Sequence, residues 1–246
     1  MTTFSCTNIT RQYRNFCLDN VSFSMETGYF YVLVGVNGSG KTTLLDCISG
    51  VDISTHRSMS GEAQIDGISL NTSPETYRRR LGYISEKCPF FMEESIAQNG
   101  LTYGQFYPDW SVRDYSAYLD RLNVDPSKRM YQLSKGEFLK VQVCFALAHH
   151  PDFLFLDEPL EGFDPVFRRE FLDLLSDLLS RDMGILLSTH VTEDVDRLAD
   201  YILILENGRL MADAPKETLS DRYRDLTGTP APHIRDLLEL EHQERH

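Results

Sequence analysis

The chain has 246 residues, 41% of them hydrophobic; that is enough for one large α/β domain or two small ones, and it excludes global disorder. Its 24 basic and 37 acidic residues give a net charge of −13, which argues against a nucleic-acid partner, because such proteins neutralise phosphates with basic surface. The one dense basic run, "YRRRLG" at 77–82, reads as a solvated helix end. Five cysteines (Cys6, Cys17, Cys47, Cys88, Cys144) show no metal-ligand spacing and read as reduced, mostly buried thiols of a cytosolic protein. "MTTFSCTNIT" has the features of no signal peptide, and no apolar run approaches the ~18 residues needed to span a bilayer. The expectation is a soluble chain.

Residues 1–34 read as strands. "FSCTNIT" alternates, "NVSFSM" is apolar at every second position, and "YFYVLVG" is a continuous β-rich run suited to a buried strand. A helix is predicted from Lys41 to Ser49. "GEAQIDGISL" at 61–70 reads as an edge hairpin, with a glycine turn between short strands, and "RLGYISE" gives another strand. From Cys88 to Tyr131 the pattern turns to short, aromatic-rich helices. After "LSKGE" at 133–137 a helix carries Val141, Cys144, Phe145 and Ala148 on one face. Strand and helix then alternate: "FLFLDE", a helix over "FRREFLDLLSDLLS", "GILLSTH", a helix over "VTEDVDRLA", and "YILILENGRL". This is the βαβ rhythm of a mainly parallel sheet. A charged tail, residues 230–246, is expected as a loosely packed terminal helix.

The chemistry begins at "GVNGSGKTT", Gly35 to Thr43, which fits G-x-x-x-x-G-K-[ST] after a predicted strand and before a predicted helix. Gly35, Asn37, Gly38, Ser39 and Gly40 would wrap phosphates with backbone N–H groups, helped by the helix N-terminus. Lys41 would reach the β- and γ-phosphates; Thr42 would ligate Mg²⁺, and Thr43 completes the motif. "FLFLDEP" ends an apolar strand in Asp157, placed to hold Mg²⁺ through water, and Glu158, placed to orient a hydrolytic water as general base. His149 and His150 read as a helix end before Pro151 rather than a metal site. The aromatics of "YGQFYPDW" read as helical core and partner contact.

With both phosphate motifs placed, the chain resembles the ATP-binding subunits of ABC transporters over residues 1–225. "GVNGSGKT" matches the Walker A motif, "LSKGE" the signature, most often L-S-G-G-Q, and "FLFLDE" the Walker B motif. Tyr13 stands where the family has its adenine-stacking aromatic and Glu86 where it has the Q-loop glutamine. Asp164 and His190 match the D-loop and the switch histidine. The resemblance implies that Ser134 and Gly136 face the γ-phosphate of an ATP held by a partner subunit. It also implies that Glu86 contributes to the Mg²⁺ site. Lys135 departs from a glycine, and Glu86 and Glu137 from glutamines; a carboxylate at Glu86 adds negative charge near ATP.

The expected fold is an α/β P-loop ABC-type ATPase core (1–229), with an antiparallel β-subdomain and a helical subdomain over about 88–150. The expected function is to bind and hydrolyse ATP with Mg²⁺, dimerise around two nucleotides, and drive a separate membrane-spanning subunit, of exporter type. Such a chain would sit in the cytoplasm, peripheral to the inner face of the membrane. The alternative is a soluble ABC ATPase of the iron–sulfur cluster assembly type, without a membrane partner. Phe90, Phe91 and Met92 look exposed and would form the cleft for a partner helix.

Overall fold

The computed structural model of the chain describes residues 1–51, 59–86, 90–190, 195–228 and 232–243. Expectations that fall on Cys88, on 191–194, on 229–231 or on 244–246 lie outside the described residues.

Two sheets sandwich a first core. The antiparallel sheet runs β2-β1-β4-β5, with β1 Thr3–Gln12, β2 Cys17–Glu26, β4 Met59–Ile65 and β5 Ile68–Ser69. Its alternating residues Phe4, Cys6, Val21, Phe23 and Met25 are buried, as the period of two requires. The predicted hairpin is β4–β5, at the sheet edge. The second sheet has six strands in the order β10-β9-β3-β8-β7-β6. In it β3 (Phe30–Val34), β6 (Leu81–Ile84), β7 (Phe153–Asp157), β8 (Gly184–Thr189) and β9 (Tyr201–Glu206) are parallel, and β10 (Arg209–Pro215) runs back along β9. Every residue of β3 is buried, as expected of a parallel strand covered on both faces.

Helix α1 (Lys41–Ser49) fills the space between the sheets: Leu44, Leu45 and Ile48 pack with Phe4, Leu33 and Phe155. Behind it, α2 (Pro74–Arg79) leads into β6. Three further helices, α3 (Ile96–Gly104), α4 (Val112–Arg121) and α5 (Lys135–Leu147), share a separate core with Phe90. Val141, Cys144 and Ala148 are buried there, with Phe145 partly covered. The outer face of the six-stranded sheet is covered by α5 and α6 (Pro165–Leu179), and by α7 (Lys216–Thr227) and α8 (Ile234–Gln243). Among the described residues no helix is long and apolar enough to cross a membrane.

Four expectations change. The terminal helix is not loosely packed: Ile234 and Leu237 of α8 are fully buried, because their spacing puts both on the face that meets the sheet's core. Of the helix expected over "VTEDVDRLA", residues 195–198 form a turn, closed by N–H groups of Leu198 and Ala199 on the Val195 carbonyl. Phe90 is buried, packed edge-on against Phe145, whereas Phe91 and Met92 are 54% and 46% exposed. The basic run is a clamp rather than a solvated end. Arg80 binds Asp152 at 2.6 Å and Asp66 at 2.8 Å, and Arg78 donates to the Gly50 carbonyl at 2.7 Å. Among the described cysteines none is in a disulfide, and burial pushes the Cys6 and Cys144 thiols up to about 12.

Candidate nucleotide-binding site

Neighbouring parallel strands deliver the candidate residues to one sheet edge. Val34 at the end of β3 lies opposite Thr189 of β8, and Asp157 at the end of β7 lies opposite Ser188. Gly35, Glu158 and His190 therefore leave the sheet side by side at its carboxyl edge, where ligands of open α/β sheets bind.

The loop 35–40 turns β3 into α1. Gly38 and Gly40 have φ of 82° and 109°, left-handed values that suit glycine. A Cβ on Gly35 would stand 2.3 Å from the Leu205 carbonyl oxygen, so no side chain fits. Ser39 is buried in the loop, its N–H on the Val36 carbonyl. Helix α1 opens with no side-chain cap and no acid in its first turn, which leaves its leading N–H groups to an anion. Lys41 is 5% exposed and folds back over the loop: Nζ donates to the Gly35 carbonyl at 2.8 Å and pairs with Glu158 Oε1 at 3.1 Å. An open cavity of about 650 Å³ above the loop is lined by Asn37, Gly38, Gly40, Lys41, Thr42 and Thr43 together with Asn15, Phe16, Glu158 and Glu161.

The carboxylates are held by β8. Ser188 Oγ donates to Asp157 Oδ1 at 2.7 Å and accepts the Glu158 N–H at 3.0 Å. Burial pushes the Asp157 carboxyl above its ordinary range, hydrogen bonds from Ser188 and Thr42 oppose this, and the charges of Glu158 and Asp46 add to it. A cation would relieve that repulsion. The Thr42 hydroxyl and the Asp157 carboxylate form an oxygen-only donor set, which fits Mg²⁺ rather than a softer metal. Glu158 sits at φ 47°, an uncommon conformation for a residue with a Cβ. Its Oε2 meets His190 Nδ1 at 3.0 Å and the His190 N–H at 3.3 Å. Lys41, Glu158 and His190 are thus one continuous contact chain.

The mouth of α5 is built differently. Ser134 caps the helix: its Oγ accepts the Glu137 N–H at 3.2 Å, while Glu137 Oε2 takes the Ser134 N–H at 3.0 Å. The Ser134 hydroxyl also donates to that carboxylate. Lys128, 2.7 Å away, leads the causes that hold the Glu137 carboxyl at about 2. Gly136 keeps the contact close, since a Cβ would stand 3.1 Å from the Phe167 ring, which would have to shift by a few tenths of an ångström. Asp164 caps α6, accepting the N–H groups of Val166 and Phe167 at 3.0 Å each. Glu86 is 79% exposed and lies 3.7 Å from Lys135 Nζ. A second cavity, about 300 Å³, connects Glu86, Ser134 and Lys135 with Asp157 and Glu158.

Several functional contacts have no counterpart in the sequence reading. Tyr13 is 41% exposed beneath the Arg11 guanidinium, 4.9 Å from its ring, while Phe16 is the aromatic that crowds Gly40, 2.6 Å from where a Cβ would stand. Nothing in the spacing separates those two aromatics. Ser188 and the Ser134–Glu137 cap were legible in principle: the first is a polar break in an apolar strand, the second fits S-x-x-E. His149 is buried and stacked on Tyr107 with ring centroids 4.4 Å apart. Its Nε2 faces the Leu81 carbonyl, and burial pushes its pKa down to about 4, so it is a neutral core residue rather than a charged helix end.

Sheet order, glycine loop and edge carboxylates define an α/β nucleotide-binding protein of the P-loop class. The sequence profile of the ABC transporter family matches residues 18–161, more than half of the chain, and the chain belongs to that family. It is 28% identical over 219 residues to the Nod factor export ATP-binding protein I of Neorhizobium galegae, covering 87% of this chain and 61% of that protein. It is 29% identical over 210 residues to the ABC transporter ATP-binding protein YtrB of Bacillus subtilis (strain 168), covering 85% and 70%. The chain thus spans about three fifths of the first of these relatives. A solved ATP binding subunit of an ABC transporter superposes with a TM-score of 0.82 at 27% identity, covering 97% of this chain and 98% of the other. A nucleotide-free ATP-binding cassette shares the fold, with a TM-score of 0.74 at 21% identity over 94% and 96%.

Proposed function

We propose that the chain binds and hydrolyses ATP as the motor subunit of an ABC transporter. Two such subunits close around two nucleotides and drive a separate membrane-spanning subunit from the cytoplasmic face. The single observation that carries this reading is the Lys41–Glu158–His190 contact chain beside Asp157. It aligns an ammonium, a carboxylate and an imidazole at one sheet edge, the groups that phosphate binding and general-base chemistry require. Export is the direction for which the Nod factor relatives are named, and we extend it to this chain.

Each residue has a physical task. The loop N–H groups and the α1 N-terminus bind the phosphates, with Lys41 pre-placed by the Gly35 carbonyl. Phe16, with Tyr13 on the same turn, offers an aromatic surface to the base. Thr42 and Asp157 would hold Mg²⁺, with Glu86 contributing from the facing loop; the ion supplies charge neutralisation at the phosphates. Glu158 accepts the proton of the attacking water on a carboxylate oxygen, and His190 fixes that carboxylate from the other side. Ser134 and Gly136 would serve the nucleotide of the second subunit, as Asp164 would across the same interface. A cleft of about 300 Å³ lined by Tyr83, Ser85, Tyr103, Phe106, Tyr107 and Phe145, bordered by exposed Phe91 stacked on Tyr103, is the seat for the membrane subunit.

Glu158→Gln tests the reading. The variant should bind ATP with affinity near that of the unaltered chain while kcat falls about thousandfold. Steady-state hydrolysis within a few-fold of the unaltered chain would count against it.

A further inference from the structure

Lys135 ties together three segments that carry the site. It is the first residue of α5, directly after the cap Ser134. Its ammonium donates to the Glu161 carbonyl at 2.8 Å, stands 5.6 Å from the centre of the Phe163 ring, and lies 3.7 Å from Glu86 Oε1. Glu161 and Phe163 belong to the loop between Glu158 and Asp164, and Glu86 follows β6. Gly162, at φ 79°, brings the loop backbone up to the same ammonium: a Cβ there would stand 3.6 Å from Nζ.

The two departures that meet here are complementary. Glu86 adds a negative charge where the resemblance places a neutral amide, on the wall of the cavity that also holds Asp157 and Glu158. Lys135 stands where the resemblance places a glycine, with a long side chain that needs an anchor. The two meet as an ion pair at 3.7 Å. The other acid at this mouth, Glu137, already has Lys128 at 2.7 Å, so the ammonium of Lys135 is committed to Glu86 and the Glu161 carbonyl. The ion pair is exposed, 56% at Lys135 and 79% at Glu86, and is weak by itself; the carbonyl bond and the ring contact give it direction.

We infer that Lys135 is a positioning residue for hydrolysis. It neutralises Glu86 and fixes the N-terminus of α5 against the loop that runs from Glu158 to Asp164 of the same chain. Its effect therefore falls on the rate of hydrolysis rather than on nucleotide affinity. The inference rests on the ATPase reading above.

The test is a double-mutant cycle on the full chain with Mg-ATP: Lys135→Met, Glu86→Gln and both together, with Lys135→Arg as the conservative variant. Lys135→Met should lower kcat about tenfold with KM within about threefold, and Lys135→Arg should restore kcat to within about threefold. In the Glu86→Gln background Lys135→Met should cost no more than about threefold, because no carboxylate is left unpaired. Equal losses in both backgrounds, a KM effect with kcat intact, or no loss in Lys135→Met would overturn the inference. If the unaltered chain hydrolyses no ATP, it is the ATPase reading that fails. The coupling is then read from thermal midpoints without nucleotide. Midpoints non-additive by about 1–2 °C support the pairing, and additive ones overturn it.

Discussion

Two helices of this protein begin with a lysine after a small residue, Gly40-Lys41 and Ser134-Lys135, and their mouths are built on opposite principles. At α1 no side chain caps the helix, no acid occupies the first turn, and the lysine bends back to a loop carbonyl and to Glu158. At α5 the cap is complete in both directions and a carboxylate already sits on Ser134. An anion reaching α1 meets donors held ready. One reaching α5 must displace the Glu137 carboxylate from the Ser134 hydroxyl before that hydroxyl can bind it. The first mouth presents its donors free, and the second presents the Ser134 hydroxyl only after exchange.

Three substitutions sharpen or break this contrast. Lys41→Met should weaken ATP binding about hundredfold by calorimetry, since it removes the buried cation at the phosphate loop and leaves Glu158 with His190 alone; a loss below about threefold would mean that α1 is not the main receptor. Ser188→Ala removes the shared hydrogen bond under Asp157 and Glu158. It should lower kcat about tenfold and the melting midpoint by several degrees. Unchanged values would show that β8 does not build the receptor's carboxylates. Glu137→Gln removes the charge at the conditional mouth. In a Glu158→Gln background it should lower the ATP concentration for half-maximal dimerisation about threefold by light scattering, less at high salt. A rise instead would show that the full cap is needed for association.

Much of this architecture was readable from residue order because the informative signals are local. "YFYVLVGVNGSGKTT" has to be a buried strand, a glycine turn and a helix, and the structure has β3, the loop and α1 in those places. The apolar run ending in Asp157 was equally explicit. What could not be read depends on contacts distant in the chain. Phe90 is adjacent to Phe91, yet one enters a core with Phe145 while the other faces out; a run of aromatics has no periodicity to divide them. Arg80 reads as a basic surface until Asp66 and Asp152, from two different loops, converge on it. Phe16 outranks Tyr13 at the loop only because of how the β1–β2 turn lies over Gly40. Charge pairing between Glu86 and Lys135 spans 49 positions and needs the helical core to bring the two ends together.

The last helix has a consequence for how the molecule comes apart. Asp196, six residues beyond His190, receives Lys216 at 2.9 Å, His233 at 2.7 Å and the Ile234 N–H at 3.3 Å, while Ile234 and Leu237 plug the sheet's outer core. Peeling α8 away would strip a mostly buried carboxylate of two partners and open an apolar face beside the segment that follows β8. The amides of α8 and of residues 195–200 should therefore exchange with deuterium as one cooperative unit, slowly and together, rather than as a fraying end.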